Sequence, residues 1–396
     1  MTYREQMKLY KNNGLDENER KALEEEIEKH EAISDYLFEQ AELPVPESVS
    51  EPEIGEDGGS EEFEKQVKTY IRRAFVKTGA VVGAAVLAVL LFVIFALPKI
   101  VDCFYYDPGE TVGSTEWSDT NRMSLDTAVY TELFVPGNYR ENVTVEDEGY
   151  GNYGVYIGQN SSYTGYFTDI VGKVSKGRLT LYNPNVLKRP TGNAFLPELA
   201  GVQSWYKGRG AAGTPEEAFE VLDYLAEGAM YTAYVTLDKA MSLEEFNEWC
   251  GANEAYPNWC AVCIKADGNY SDFDYEIIAD NMGFLYGSGC TELAFDGEKY
   301  PNLSVFALSE ALQESGNPYA ETQKHIVSLL RYTADNPEFA AMMGNEIDSG
   351  AFNRAADIIE ADGVYIYGFA MLGGSADIQQ LKSMSGISYV YTVPMQ

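Results

Sequence analysis

The sequence predicts an α+β protein divided by a membrane: a short helical segment, a single transmembrane helix, and an extracytoplasmic α/β region of β-α-β units. Three observations carry this reading. Residues 79–97, GAVVGAAVLAVLLFVIFAL, hold no charged side chain. Residues 1–78 are polar, acidic and helix-prone. Residues 98–396 alternate β-rich runs with well-capped amphipathic helices.

At ~1.5 Å per residue, a helix over residues 79–97 is about as long as the ~30 Å hydrocarbon core of a bilayer is thick. It begins too far from the N-terminus for a cleaved signal sequence. Lys65, Lys68, Arg72, Arg73 and Lys77 precede it, whereas Lys99 is the only base between it and Asp102. Basic residues are retained on the cytoplasmic side, so this asymmetry places residues 1–78 in the cytoplasm and residues 98–396 outside.

The net charge is −34, of which residues 1–78 contribute −9 and residues 98–396 contribute −25. An acidic exterior argues against nucleic acid or anionic lipid as its direct partner. The two histidines, His30 and His325, fall on opposite sides of the span. No zincin helix, phosphate-binding glycine loop or nucleophile elbow occurs. The expectation is therefore a non-enzyme with no cofactor and no metal.

In order, residues 1–42 form a cytoplasmic helical segment. Asn13-Gly14 ends a first helix. Asp16 caps a second, with Glu19 three residues on. Leu23, Ile27, His30, Ser34 and Leu37 then recur at helical spacing beside Ile33 and Tyr36, a narrow apolar stripe on a polar helix. Residues 43–62 (LPVPESVSEPEIGEDGGSEE) have the composition of a disordered acidic linker. Residues 63–78 form a basic juxtamembrane helix, either lying on lipid or continuing the transmembrane helix of residues 79–98.

Residues 99–205 read as a mainly β region. Its strands are AVYTELFV (128–135), GVYIGQ (154–159), YFTDIVGKVS (166–175) and GRLTLYN (177–183), with a turn at Lys176-Gly177. In residues 206–396, Thr214-Pro215-Glu216-Glu217 is a capping box with proline at the first helical position. Ser242 with Glu245 caps a second helix, Asn336-Pro337 opens a third and Ser375 caps a fourth. Residues 230–237, 242–250 and 259–266 form one β-α-β unit, and residues 364–372, 375–384 and 387–393 another.

The segment GLDENERKALEEEIEKHEAISDYL (14–37) resembles the anti-sigma domain of membrane-bound bacterial anti-sigma factors. His30 stands at the position of that domain's zinc-binding histidine. Ser34 and Leu37 stand where its cysteines would be, so no zinc site is expected. The stretch from Phe63 to Glu110 resembles the N-terminal module of the sigma factor regulator family. YVTLDKAMSLEEFNEW (234–249) and VYIYGFAMLGGSADIQQLKSM (364–384) resemble its C-terminal module. The resemblance implies a single-pass anti-sigma factor that binds a cytoplasmic sigma factor and answers an extracytoplasmic signal. The contact residues expected on the apolar stripe are Tyr10, Leu23, Ile27, Ile33, Tyr36 and Leu37. The alternative is an extracytoplasmic ligand- or partner-binding module on a membrane anchor. A third reading, a thiol oxidoreductase, needs a cysteine of low pKa.

All five cysteines lie beyond the span, in a compartment that permits disulfides. Structural disulfides among Cys250, Cys260, Cys263 and Cys290 are the expectation, with free buried thiols, a metal site or a redox pair as alternatives. Cys260 and Cys263 sit three apart on a strand, which points them to opposite faces. Asp267-x-Asn269-x-Ser271 begins like a calcium loop but lacks its glycine and its closing glutamate. His325, beside Ile326, Leu329 and Leu330, is expected to pack within a helix.

Overall fold

The computed structural model describes Glu17, residues 19–24 and 28–29, and residues 60–395 apart from 115, 117–118, 162–166, 183–193, 205–212, 267–271, 287–294 and 304. The chain divides into two compact units, Met1–Val82 and Gly83–Gln396. In the first, Glu17, residues 19–24 and residues 28–29 are helical, and Arg20 and Glu24 form an exposed ion pair one turn apart (3.1 Å).

Helix α1 (Ser60–Leu91) is continuous, so the juxtamembrane segment and the start of the apolar run belong to one helix. A π-helical turn, Phe92–Ala96, follows, and then α2 (Leu97–Asp102), which starts with Pro98 near its N-terminus. Among the described residues one helical stretch, Val67–Asp102, is long and apolar enough to cross a membrane, and its most apolar window is not buried.

Beyond it come β1 (Thr111–Ser114), β2 (Asp119–Asn121) and α3 (Arg122–Phe134). The sequence reading placed a strand at residues 128–135, and the structure corrects this. Asn121 caps a helix there by accepting from the Ser124 N–H (2.8 Å). Every α3 residue from Met123 to Phe134 is buried. A helix covered on all sides carries no polar stripe, and its β-branched and aromatic residues read as strand.

Strands β3 (Asn138–Gly149), β4 (Asn152–Ser161), β5 (Phe167–Ser175) and β6 (Arg178–Leu181) form an antiparallel meander. Lys176 and Gly177 both have positive φ, the two-residue turn expected between β5 and β6. A 3₁₀ turn at Pro197–Ala200 leads to β7 (Val202–Gln203), and α4 (Pro215–Val221) carries the predicted Thr214–Glu217 capping box.

The C-terminal elements are β8 (Met230–Ser242), α5 (Leu243–Asn253), β9 (Trp259–Lys265), β10 (Tyr275–Glu276), β11 (Gly283–Leu285), α6 (Val305–Glu314), α7 (Pro318–Asp335), α8 (Glu338–Met342), α9 (Ser349–Asp362), β12 (Tyr365–Gly374), α10 (Ser375–Gln379) and β13 (Ile387–Pro394). The Ser242–Glu245 capping box is present. The α10 cap falls one residue earlier than expected, at Gly374, whose N–H is bonded by Asp377.

Among the described residues these strands build one seven-stranded sheet, ordered β13-β8-β12-β9-β10-β7 with β11 pairing to β9. Strand β12 lies antiparallel between β8 and β9, and β8 lies antiparallel between β12 and β13. The two expected β-α-β units are thus split and interleaved, each supplying the strand that separates the other's pair. The order places an apolar face on each side of the sheet. On β9, Cys260, Val262 and Ile264 enter the larger core, and Trp259, Ala261 and Cys263 enter the smaller. On β12, Ile366 and Phe369 share the larger core although three residues apart. The β-bulge between Ile366 and Gly368 makes this possible.

Candidate functional site

Of the six expected partner contacts, Leu23 lies among the described residues, where it is helical and only 4% exposed. Tyr10, Ile27, Ile33, Tyr36 and Leu37 lie outside them, as do His30, Cys290 and the calcium-like stretch 267–271. Three polar assemblies in Gly83–Gln396 carry the chemistry that the structure describes.

The first two are built on α3. Asp126 is buried and accepts from the hydroxyls of Tyr106 (2.6 Å) and Tyr332 (2.7 Å), with Arg122 Nε 3.7 Å away. Burial pushes its carboxyl up to about 6, against the pull of the two tyrosine hydroxyls and the arginine. Arg122 also reaches Glu110 and Glu338 and lies over the Tyr106 ring.

Two turns along α3, the Glu132 carboxylate contacts His325 Nε2 (2.7 Å) and accepts from the Leu285 N–H (3.2 Å). The Glu132 carbonyl accepts from the Trp259 indole (2.6 Å). His325 Nδ1 lies 2.7 Å from the Asn302 carbonyl. Burial by itself depresses the His325 pKa, but the Glu132 charge and hydrogen bond and the Asn302 carbonyl outweigh it and hold the ring above its ordinary value. His325 does pack within a helix, as expected. What sequence reasoning missed is its partner, because Glu132 sat in a segment read as strand. Together these bonds tie α3 to the segment leaving the apolar helix (Tyr106), to α7 (Tyr332, His325) and to the sheet (Trp259, Leu285).

The third assembly is the junction of the apolar helix with the folded unit. The β3–β4 turn, Gly149-Tyr150-Gly151, has positive φ at all three residues (78°, 56° and 73°). Tyr150 Oη donates to the Val93 carbonyl (2.6 Å), and the Gly151 N–H donates to Asp102 Oδ1 (2.5 Å). A cavity of about 750 Å³ beside it is lined by Lys99, Asp102, Asp107, Glu110, Arg122 and Asp147, among others. A second cavity, of about 450 Å³, lies between the 299–301 segment and α7, with Lys299, Gln323, Lys324, Ser328, Arg331 and Glu360 in its wall.

Of the four cysteines expected to form disulfides, Cys290 lies outside the described residues. Cys250, Cys260 and Cys263 are free and buried, and Cys103 is free and exposed. Cys260 and Cys263 face opposite cores, which prevents them from pairing. Burial pushes the Cys250 thiol up to about 12 and raises Cys260 and Cys263 as well. Thiols held protonated at neutral pH are poor nucleophiles, which is the opposite of what a redox pair requires.

Residues 222–391 match the family model described as sigma factor regulator C-terminal. The match begins just after α4, ends within β13 and covers less than half of the chain, so it is a likeness of this region to the C-terminal part of that family. Neither the curated proteins nor the solved structures contain a match.

Proposed function

We propose that this chain is a single-pass membrane anti-sigma factor. Residues 1–42 bind and inhibit a cytoplasmic sigma factor, and the unit beyond the apolar helix answers an extracytoplasmic signal. The observation that carries this reading is the sigma factor regulator match at residues 222–391 on a chain with one membrane-capable helix. The basic residues before that helix support a cytoplasmic N-terminus. The acidic 14–37 segment suits a basic partner surface of the kind that meets DNA or polymerase. Helix α3 offers a physical route for a signal. A shift in α7 or the sheet acts on Asp126 and Glu132, and Tyr106 carries it to the end of the apolar helix.

The test is co-purification. The full chain and a chain lacking residues 1–42 are solubilised from cell membranes in mild detergent, and bound proteins are identified by mass spectrometry. One sigma factor is expected with the full chain and not with the truncated one. Equal recovery from both, or none from either, would refute the assignment and move the function to the extracytoplasmic cavities.

A further inference from the structure

The π-helical turn near the end of the apolar helix creates a specific polar defect. A π-helical turn is closed by N–H groups that bond the carbonyl five residues back, as Leu97 N–H does to Phe92 here. The next carbonyl in the series is that of Val93, and its donor would be residue 98. Residue 98 is proline, which has no N–H. The Val93 carbonyl is instead met by the Tyr150 hydroxyl, reaching in from the β3–β4 turn.

The turn is constructed to reach that point. Tyr150 holds a left-handed backbone (φ 56°) between two glycines of similar φ, a conformation that L side chains rarely adopt. Asn152 Nδ2 donates to the Gly149 and Tyr150 carbonyls (3.0 and 3.1 Å), and Asp102 fixes the Gly151 N–H. A Cβ on Gly149 would lie 3.7 Å from Pro98 Cβ, so the turn backbone runs level with Pro98. Val93 stands four residues before the end of the apolar run, about 6 Å inside it along the helix axis. The Tyr150 ring therefore spans the boundary between apolar run and polar exit. Phe104 (79% exposed) and Tyr105 (40% exposed) leave the helix beside it, and Tyr105 flanks Gly151. The neighbouring acidic groups are occupied: Asp147 by the Gly149 N–H, Glu148 by Lys173 and Asp102 by Gly151.

We propose that Tyr150, Phe104 and Tyr105 form a foot seated in the headgroup layer of a phospholipid bilayer, so that the extracytoplasmic unit rests on the membrane instead of hanging from a free linker. The partner is the lipid surface continuous with the apolar helix, and the proposal rests on reading that helix as the transmembrane span. Amphipathic aromatic rings favour this layer. A backbone carbonyl near the hydrocarbon needs a partner from the protein, because water does not reach it.

The test uses the full chain, with Cys103 and Cys290 replaced by serine, in vesicles of phosphatidylcholine and phosphatidylglycerol. Nitroxides are placed one at a time at Phe104→Cys, Val86→Cys and Tyr224→Cys, the last an exposed reference position. Accessibility to oxygen and to a water-soluble nickel chelate is read by power saturation. At Phe104→Cys nickel access is expected several-fold below that at Tyr224→Cys and above that at Val86→Cys. Tyr150→Phe, which removes only the hydroxyl, is expected to raise nickel access at Phe104→Cys. A Phe104→Cys label as open to nickel as Tyr224→Cys, with Val86→Cys still protected, overturns the foot and leaves the span intact. Nickel access at Val86→Cys overturns the span, and the foot with it.

Discussion

Asp126 and Glu132 lie on the same helix, both almost out of contact with water, and the fold treats them differently. Asp126 receives two neutral hydroxyls and a distant guanidinium, and its carboxyl is left with a raised pKa. Glu132 receives an imidazole at 2.7 Å and a backbone N–H, and its partner His325 is the group whose pKa rises. Hydroxyls compensate a buried charge only partly, so at the Asp126 end the carboxylate itself takes up a proton readily. At the Glu132 end the carboxylate's charge and hydrogen bond, with the Asn302 carbonyl, hold the His325 pKa above its ordinary value. One helix thus carries a proton-sensitive end, facing the exit of the apolar helix, and a charge-paired end, facing the sheet.

The largest expected effect breaks the charge-paired end. His325→Leu leaves the Glu132 charge buried without its basic partner, which costs about 3–5 kcal/mol. Urea unfolding of the full chain in detergent, followed by tryptophan fluorescence, measures it. Adding Glu132→Gln to that variant is expected to restore part of the loss, and a strictly additive double variant would show that the pair is not coupled.

The next sharpens the proton-sensitive end. The folded chain keeps the Asp126 proton to about pH 6, whereas the unfolded chain releases it near 3.8. Stability from this group therefore falls as pH rises across that window, by roughly 3 kcal/mol. His325 acts in the same direction higher up: its stabilisation is complete below its ordinary pKa and is lost as pH rises through its raised folded value. Asp126→Asn is expected to flatten the lower window and leave the upper one. Unfolding midpoints across mildly acidic pH check this, and an unchanged profile would remove Asp126 from the account.

The smallest effect marks the contrast with the surface. Lys382 and Asp223 pair at 2.7 Å but are both well exposed, and exposed pairs are worth about 0–1 kcal/mol. Lys382→Ala is expected to shift the urea midpoint little, with no change in pH profile.

The apolar run, the basic flank before it, the capping boxes at Thr214 and Ser242 and the Lys176-Gly177 turn were legible because each depends on residues within a few positions of one another. The β-α-β units were legible in kind, through the alternation of strand runs with capped helices. Helix α3 was not. Its burial on every side erased the periodicity that marks a surface helix, and with the helix the two carboxylates at its centre were missed. The cysteines show the same limit. Spacing on β9 correctly turned Cys260 and Cys263 to opposite faces, which keeps them from pairing with each other, but which core each enters was decided by the fold.

By itself the sequence determined where the chain becomes apolar, which side of that run is basic, and where helices start. These are properties of short windows, set by transfer free energy and local hydrogen bonding. Only the tertiary structure decided how the split β-α-β units interleave, which bulge brings Ile366 and Phe369 to one core, that Glu132 meets His325, and that Tyr150 meets the Val93 carbonyl. Those partners lie 57 to 193 residues apart, and no local propensity links them. They come together because a buried charge and a carbonyl left open by proline each cost free energy until the packed chain supplies a partner.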